Sequence, residues 1–345
     1  MARAGMYVAV LALAFLVLQP ALALASRESE PAAPAKGRFV PPGTVVLFDE
    51  AHFPVYTVNP DNPSGYPSGN QPRGAYAAYA KVLEKAGMTV KTLDYGYYLD
   101  SDSLNGVKVL VIVCSRGHDP DNLIQAPYTA EETEAVLKFV RNGGGLFLIG
   151  DHTTFPPAIF PVAEKFGIEY AQSLMHDPYH NVRNDTSGEP AESSKDVFIY
   201  FERSLGNFGD HPVMNNISRV ELYRTDYFSV LPDAAVALIT TDSETYYSDM
   251  TNSYVYAPSK VVSAAIPSNT TAGAGRVVVM ADTNTFETDE NRDEDADMDL
   301  FDSDNALYGL QAVEWLADVP VHHGVSVTSA EPESLGQRTL SHNAT

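Results

Sequence analysis

Cysteine is nearly absent: Cys114 is the only one in 345 residues. No intramolecular disulfide can form, so this is not a disulfide-stapled fold. Basic residues are scarce as well. The chain carries 22 Lys and Arg against 45 Asp and Glu, a formal net charge of −23. Such a deficit works against binding nucleic-acid phosphates and favours solubility through self-repulsion. No Gly-x-Ser-x-Gly elbow, phosphate-binding glycine loop or dinucleotide fingerprint occurs, so three common catalytic and nucleotide-binding devices are missing. Gly143-Gly144-Gly145 precedes a strand and reads as a helix stop.

Long apolar runs are lacking except near the start. Tyr7 to Leu18 is short for a bilayer span, Pro20 breaks it, and Ala23-Leu24-Ala25 places small residues where a signal peptidase reads. Residues 1–25 are therefore expected to be a signal peptide cleaved after Ala25, with an uncleaved membrane anchor as the alternative. On this reading the mature chain is secreted or otherwise extracytoplasmic and meets a membrane only if the segment stays attached. Residues 26–42 read as a flexible leader and 319–345 as a loose tail. Four sequons, at Asn184, Asn216, Asn269 and Asn343, are candidate glycosylation sites for an exported chain.

What is present is a globular composition, 44% hydrophobic. Thr44–Phe48, Met88–Leu93, Val107–Val113 and Leu146–Ile149 are apolar, β-branched runs that predict buried strands. Helical patterns lie between or after them, at Gly74–Ala86, from the N-cap Thr129 to about Arg141, and at Phe160–Phe166. Further strands are predicted at Val220–Tyr223, Ala235–Thr240, Val261–Ile266 and Arg276–Met280, and a last helix at Ala306–Leu316. The alternation predicts one α/β domain over 43–318, with a mainly parallel sheet covered by helices on both faces. Residues 171–215 lose the pattern and read as a polar insertion.

In an open parallel sheet, ligands bind beyond the carboxyl ends of the strands. Those ends carry Asp49, Glu50 and His52; Cys114, Ser115, Arg116 and His118; Asp151, His152 and Thr153; and Asp282, Thr283 and Asn284. Asp49, His52, Asp151, His152 and Asp282 are the catalytic candidates, able to do acid–base work or to hold a divalent cation, calcium or zinc. Glu50, Arg116, His118, Thr153 and Asn284 complete the rim as ligand-contacting candidates. An Asp at a strand end also serves as a cap for the next turn, and a His beside it as a loop hydrogen bonder. Asp293, Asp295, Asp297 and Asp299 alternate in an acidic stretch that could offer oxygens to calcium or simply be solvated; it lacks the glycine and distal glutamate of an EF-hand loop. His176 and His180 have metal-like spacing only on a helix, which Pro178 opposes. Cys114, ending a buried strand, reads as a packed small hydrophobe.

The stretches VVLFDEAH, YAAYAKVLEKAGMTVKTLD, VKVLVIVCSRG, YTAEETEAVLKFVRNGGGLFLIGDHT, FPVAEKFGIEY, GRVVVMADTNTF and ALYGLQAVEWL, in that order, resemble the class I glutamine amidotransferase-like superfamily. Within it they resemble the DUF4350-type and gliding- and intraflagellar-transport-type branch. The resemblance implies a flavodoxin-like sandwich. It also implies that glutamine hydrolysis is absent: where active members place the nucleophilic Cys, after the strand matching Leu146–Ile149, this chain has Gly150-Asp151-His152, and their downstream His-x-Glu has no counterpart. Two functions follow as expectations. One is a binding module for a small polar ligand, a glycan or a partner protein. The other is a hydrolase, metal-dependent or acid–base, acting on an extracytoplasmic substrate such as a carbohydrate.

Overall fold

The computed structural model describes residues 40–41, 43–62, 73–117, 128–153, 156–182, 196–248, 253–288 and 300–319. The expected signal peptide and nearly all of the leader and tail lie outside them, as do His118, Asn184, Asn343 and the alternating aspartates at 293–299.

Among the described residues, fourteen strands and four α-helices follow in chain order. They are β1 (Val45–Asp49), α1 (Ala77–Lys85), β2 (Thr89–Leu93), β3 (Val109–Val113), α2 (Ala130–Arg141), β4 (Gly145–Ile149), α3 (Phe160–Glu164), β5 (Glu169–Tyr170), β6 (Leu174–His176), β7 (Phe198–Glu202), β8 (Arg219–Tyr223), β9 (Phe228–Val230), β10 (Val236–Thr240), β11 (Tyr246–Ser248), β12 (Tyr254–Tyr256), β13 (Val261–Ile266), β14 (Arg276–Met280) and α4 (Asn305–Leu316).

Seven strands form the central sheet in the order β10-β13-β14-β4-β3-β1-β2. β14, β4, β3, β1 and β2 run parallel, whereas β13 and β10 add an antiparallel edge. The parallel part is flavodoxin-like: the chain leaves β1 for β2 on one side, then returns to β3 on the other, so the strand order reverses between β1 and β3. The apolar runs are continuous because both faces are covered. α1 and α4 pack on one face, over Phe48, Val111, Phe147 and Met280. α2 and α3 pack on the other, over Leu47, Ile112, Leu148 and Val279. The mainly parallel, two-face-covered sheet expected from the sequence is the observed one.

Local chemistry sets the boundaries. Thr129 caps α2 through a complete capping box with Glu132: the Glu132 N–H donates to Thr129 Oγ1 (3.2 Å), and the Thr129 N–H to Glu132 Oε2 (3.0 Å). α2 then passes into β4 under a tight chain crossing. A Cβ on Gly275 would sit 2.1 Å from the Gly144 carbonyl oxygen and 2.2 Å from that of Val140, so only glycine allows this approach of β14's lead-in to the α2–β4 turn.

Two expectations change in detail. Val220–Tyr223 is a strand, but it pairs antiparallel with β7 in a separate two-stranded sheet instead of joining the main one. The region read as a patternless insertion contains β6 and β7. β6 pairs with β11, and β11 with β12, in a three-stranded sheet. These strands are three to five residues long, too short for a period-2 pattern to stand out. No helix among the described residues is long and apolar enough to cross a membrane.

Candidate functional site

The register levels the carboxyl ends of the strands. Val113 and Met280 both lie opposite Ile149, and Asp49 lies opposite Ile112 and Leu93. The polar residues that follow these strands therefore share one rim, and the structure sorts them into two buried networks.

The first lies where the strand order reverses. His52 is fully buried, with Nδ1 2.8 Å from both Asp49 carboxylate oxygens and Nε2 2.7 Å from Glu132 Oε1. With an acceptor at each ring nitrogen, both must donate, which makes the ring an imidazolium. Burial alone would lower its pKa, but the charge and hydrogen bond of Asp49, joined by those of Glu132, raise it to about 9. The ring stacks on Tyr128, centroids 4.3 Å apart. The Tyr128 hydroxyl lies 2.5 Å from Asp49 Oδ2 and 2.8 Å from Ser115 Oγ. Glu132 Oε1 also accepts the Leu99 N–H (3.2 Å). One network thus ties the exits of β1 and β3 to the start of α2. Glu132 and Tyr128 were not among the sequence candidates; the capping-box pattern identifies Glu132 as a local cap, and nothing local reveals its reach to a histidine 80 positions earlier.

The second network joins the ends of β4 and β14. Asp151 accepts the His152 N–H at 2.6 Å and the Thr283 hydroxyl. Asp282 accepts the N–H groups of Tyr223 and Asn284, each at 2.9 Å, and the Thr285 hydroxyl at 2.8 Å. Burial raises the Asp151 pKa to about 7. Burial and the neighbouring Asp151 charge raise that of Asp282 to about 8. Asn284 donates from Nδ2 to the Tyr56 hydroxyl (2.9 Å) and to Glu287 Oε1 (2.7 Å). His152 is a neutral ring: burial lowers its pKa to about 4, and Nδ1 donates to the Thr153 carbonyl at 2.5 Å, which leaves Nε2 as the acceptor nitrogen.

The other candidates divide by access. Glu50 is buried and clamps the loop after β1, accepting from the N–H groups of Val58 and Asn59 and from Asn62 Nδ2. Arg116, His152 and Thr153 are partly exposed, and Thr153 Oγ1 is a buried atom with no hydrogen-bond partner. Cys114 is fully buried, and burial, with the Asp151 charge, pushes its thiol well up, which opposes thiolate formation. Its backbone is strained, with φ +32°. Asn216 and Asn269 are exposed, on left-handed turns.

Among the described residues, one set of three potential metal ligands converges, and it contains none of the rim candidates: Asp177, His180 and Asp242, with one ligand atom of each within 4.8 Å of the others. Asp49, His52, Asp151, His152 and Asp282 do not form such a set.

No family model and no curated protein matches the chain. Among solved structures, the mmIFT52 N-terminal domain aligns over 80% of this chain and 99% of that one, at 18% identity and a TM-score of 0.55; the two share a fold. Looser alignments reach a cytoplasmic protein of Salmonella typhimurium LT2 (10% identity, TM-score 0.42, 79% of this chain and 99% of that one). They also reach a ThuA-like protein of Bacteroides uniformis (13% identity, TM-score 0.38, 83% and 95%).

Proposed function

We propose that the chain is an exported binding module that takes a small, polar, uncharged ligand, of the kind a sugar ring presents, at the carboxyl rim of its sheet near the ends of β4 and β14. One observation carries this reading. Two successive residues past β4 offer uncharged polar chemistry at the rim: the neutral imidazole of His152 and the Thr153 hydroxyl, buried without a partner. A buried polar atom left unsatisfied costs about 1–3 kcal/mol, and a ligand hydroxyl would satisfy it. The surrounding net charge of −23 disfavours anionic ligands. The full burial of His52 and Asp49 supports a structural role for that network. Secretion with removal of residues 1–25, glycosylation at the sequons and kinship with the DUF4350-type and intraflagellar-transport-type branch belong to the same reading; the likeness to the mmIFT52 domain supports the last of these at the level of fold.

The test is a thermal-shift panel of mono- and oligosaccharides, amino acids, nucleotides and peptides, with hits titrated by calorimetry. His152→Ala and Thr153→Val should each weaken the hit about 10-fold or more, the equivalent of one hydrogen bond in a desolvated site. Unchanged affinity in both variants removes the rim as the site.

A second reading, an acid–base hydrolase, rests on one observation: two buried carboxyls share the rim, and the Asp151 charge helps to hold the Asp282 proton, so Asp282 can keep a proton while Asp151 ionises. Turnover of the bound ligand, lost in Asp151→Asn with binding retained, identifies the enzyme; binding without turnover identifies the module.

A further inference from the structure

We propose that Asp177, His180 and Asp242 form a divalent transition-metal site of the zinc class, built by the insertion and the loop after β10 from residues other than the rim candidates. Asp177 follows β6 directly, and Asp242 lies two residues past the end of β10. The Asp177 Oδ1 accepts the N–H groups of Tyr179 (2.9 Å) and His180 (2.8 Å), which folds the chain so that His180 Nδ1 stands 3.2 Å from Asp177 Oδ2. The same Nδ1 meets Asp242 Oδ2. Backbone bonds brace both sides, from the Asp177 N–H to the Asp196 carbonyl (2.7 Å) and from the Tyr200 N–H to the His180 carbonyl (3.0 Å). The His180 ring stands edge-on to Tyr200, centroids 5.8 Å apart.

Three features point to a cation. The first is charge balance. Asp177 and Asp242 touch each other as well as the imidazole, and Asp196 lies close by, bonded to His176 and Tyr246. Among the described residues, the ion-pair partners of these three carboxylates are histidines, never Lys or Arg. One imidazole proton cannot neutralise two carboxylates in contact, whereas a divalent ion does. The second is a stranded acceptor. Asn181 is fully buried, its Nδ2 donates to the Asp177 carbonyl at 3.1 Å, and its Oδ1 has no hydrogen-bond partner. A buried carbonyl oxygen left unsatisfied against the backbone of the cluster is what a metal-bound water would satisfy. The third is access. The Asp177 side chain is 2% exposed, but His180 is 24% and Asp242 14% exposed, so an ion can enter from the outer side. One imidazole and two carboxylates suit zinc and its neighbours; calcium prefers oxygen ligands alone. Three protein ligands leave a coordination position for water or a ligand.

The experiment titrates zinc and calcium into the chelator-treated full chain by calorimetry and follows melting in parallel. The wild type should bind one zinc per chain, more tightly than calcium, and melt higher with zinc. Asp242→Asn and His180→Ala should each lose the saturable zinc binding and the rise in melting, while Glu244→Gln on the same loop keeps both. Asp242 is partly exposed, so if His180→Ala misfolds, Asp242→Asn decides. Absence of saturable zinc binding in the wild type overturns the proposal. So does tighter binding of calcium, or zinc binding that survives both ligand substitutions, which would place the ion elsewhere, for instance on the acidic stretch at 289–299.

Discussion

His52→Ala should destabilise the protein by about 3–5 kcal/mol, the cost of removing one member of a buried ion pair and leaving the other charges uncompensated. The substitution strands two carboxylates, Asp49 and Glu132, at 1% and 2% exposure. It also unfastens the exits of β1 and β3 from the start of α2. The effect should be read by urea denaturation, as a fall in midpoint with the slope retained. Tyr128→Phe is the graded control. It removes only the hydroxyl between Asp49 and Ser115 and should cost about 1–2 kcal/mol. A loss of less than about 1 kcal/mol for His52→Ala would mean that the network does not hold the rim together, and would return Asp49 and His52 to the list of residues kept for chemistry.

The second large effect is on pH dependence. Asp151, Asp226 and Asp282 are buried, and burial raises their pKa values to about 7, 7 and 8. Groups raised in the folded state keep protons that the unfolded chain gives up above about pH 4. Their contribution is therefore fully present at low pH and is lost as pH rises through 7 to 8. His52, raised to about 9, acts in the same sense: its contribution is complete below about pH 6.5 and is lost as pH rises toward 9. His152 and His211 oppose this on the acid side. Burial lowers both to about 4, so their contribution is lost as pH falls from about 6.5 through 4. Between pH 8 and pH 6.5 the three carboxyls and His52 act in the same sense, and stability should rise by on the order of 3 kcal/mol as pH falls. Urea midpoints across that range check it, and Asp282→Asn, which has no charge to lose, should flatten the slope. A stability that is level, or that rises with pH over this window, contradicts the burial of protonated carboxyls at the rim.

Much of the fold was legible because its signals are local. Val109–Val113 and Gly145–Ile149 are apolar at every position because both faces of the sheet are covered. Thr129 and Glu132 announce the start of α2 three residues apart. The convergence of Asp49, Asp151 and Asp282 on one rim follows from parallel strands ending level. What the sequence could not show is pairing at a distance. Glu132, three residues past the cap Thr129, meets His52, and Asp242, two residues past the end of β10, meets His180. The objection to a helix at Pro178 was sound, and β6 ends in a turn there. His176 and His180 do not share a site: His176 bonds Asp196 and Ser248, while His180 meets Asp177 within the turn and Asp242 beyond it. The short strands of the insertion were missed because three residues in β6 and five in β7 leave no periodicity to detect.

A bound ligand, once located, shows whether the ends of β4 and β14 form the binding site. Crystals of the full chain soaked with the best saccharide from the binding panel should show that molecule at the rim, with hydrogen bonds to His152 Nε2 and Thr153 Oγ1. The same molecule bound only elsewhere, on the insertion sheet or at the Asp177–His180–Asp242 cluster, would rule the rim out as the binding site.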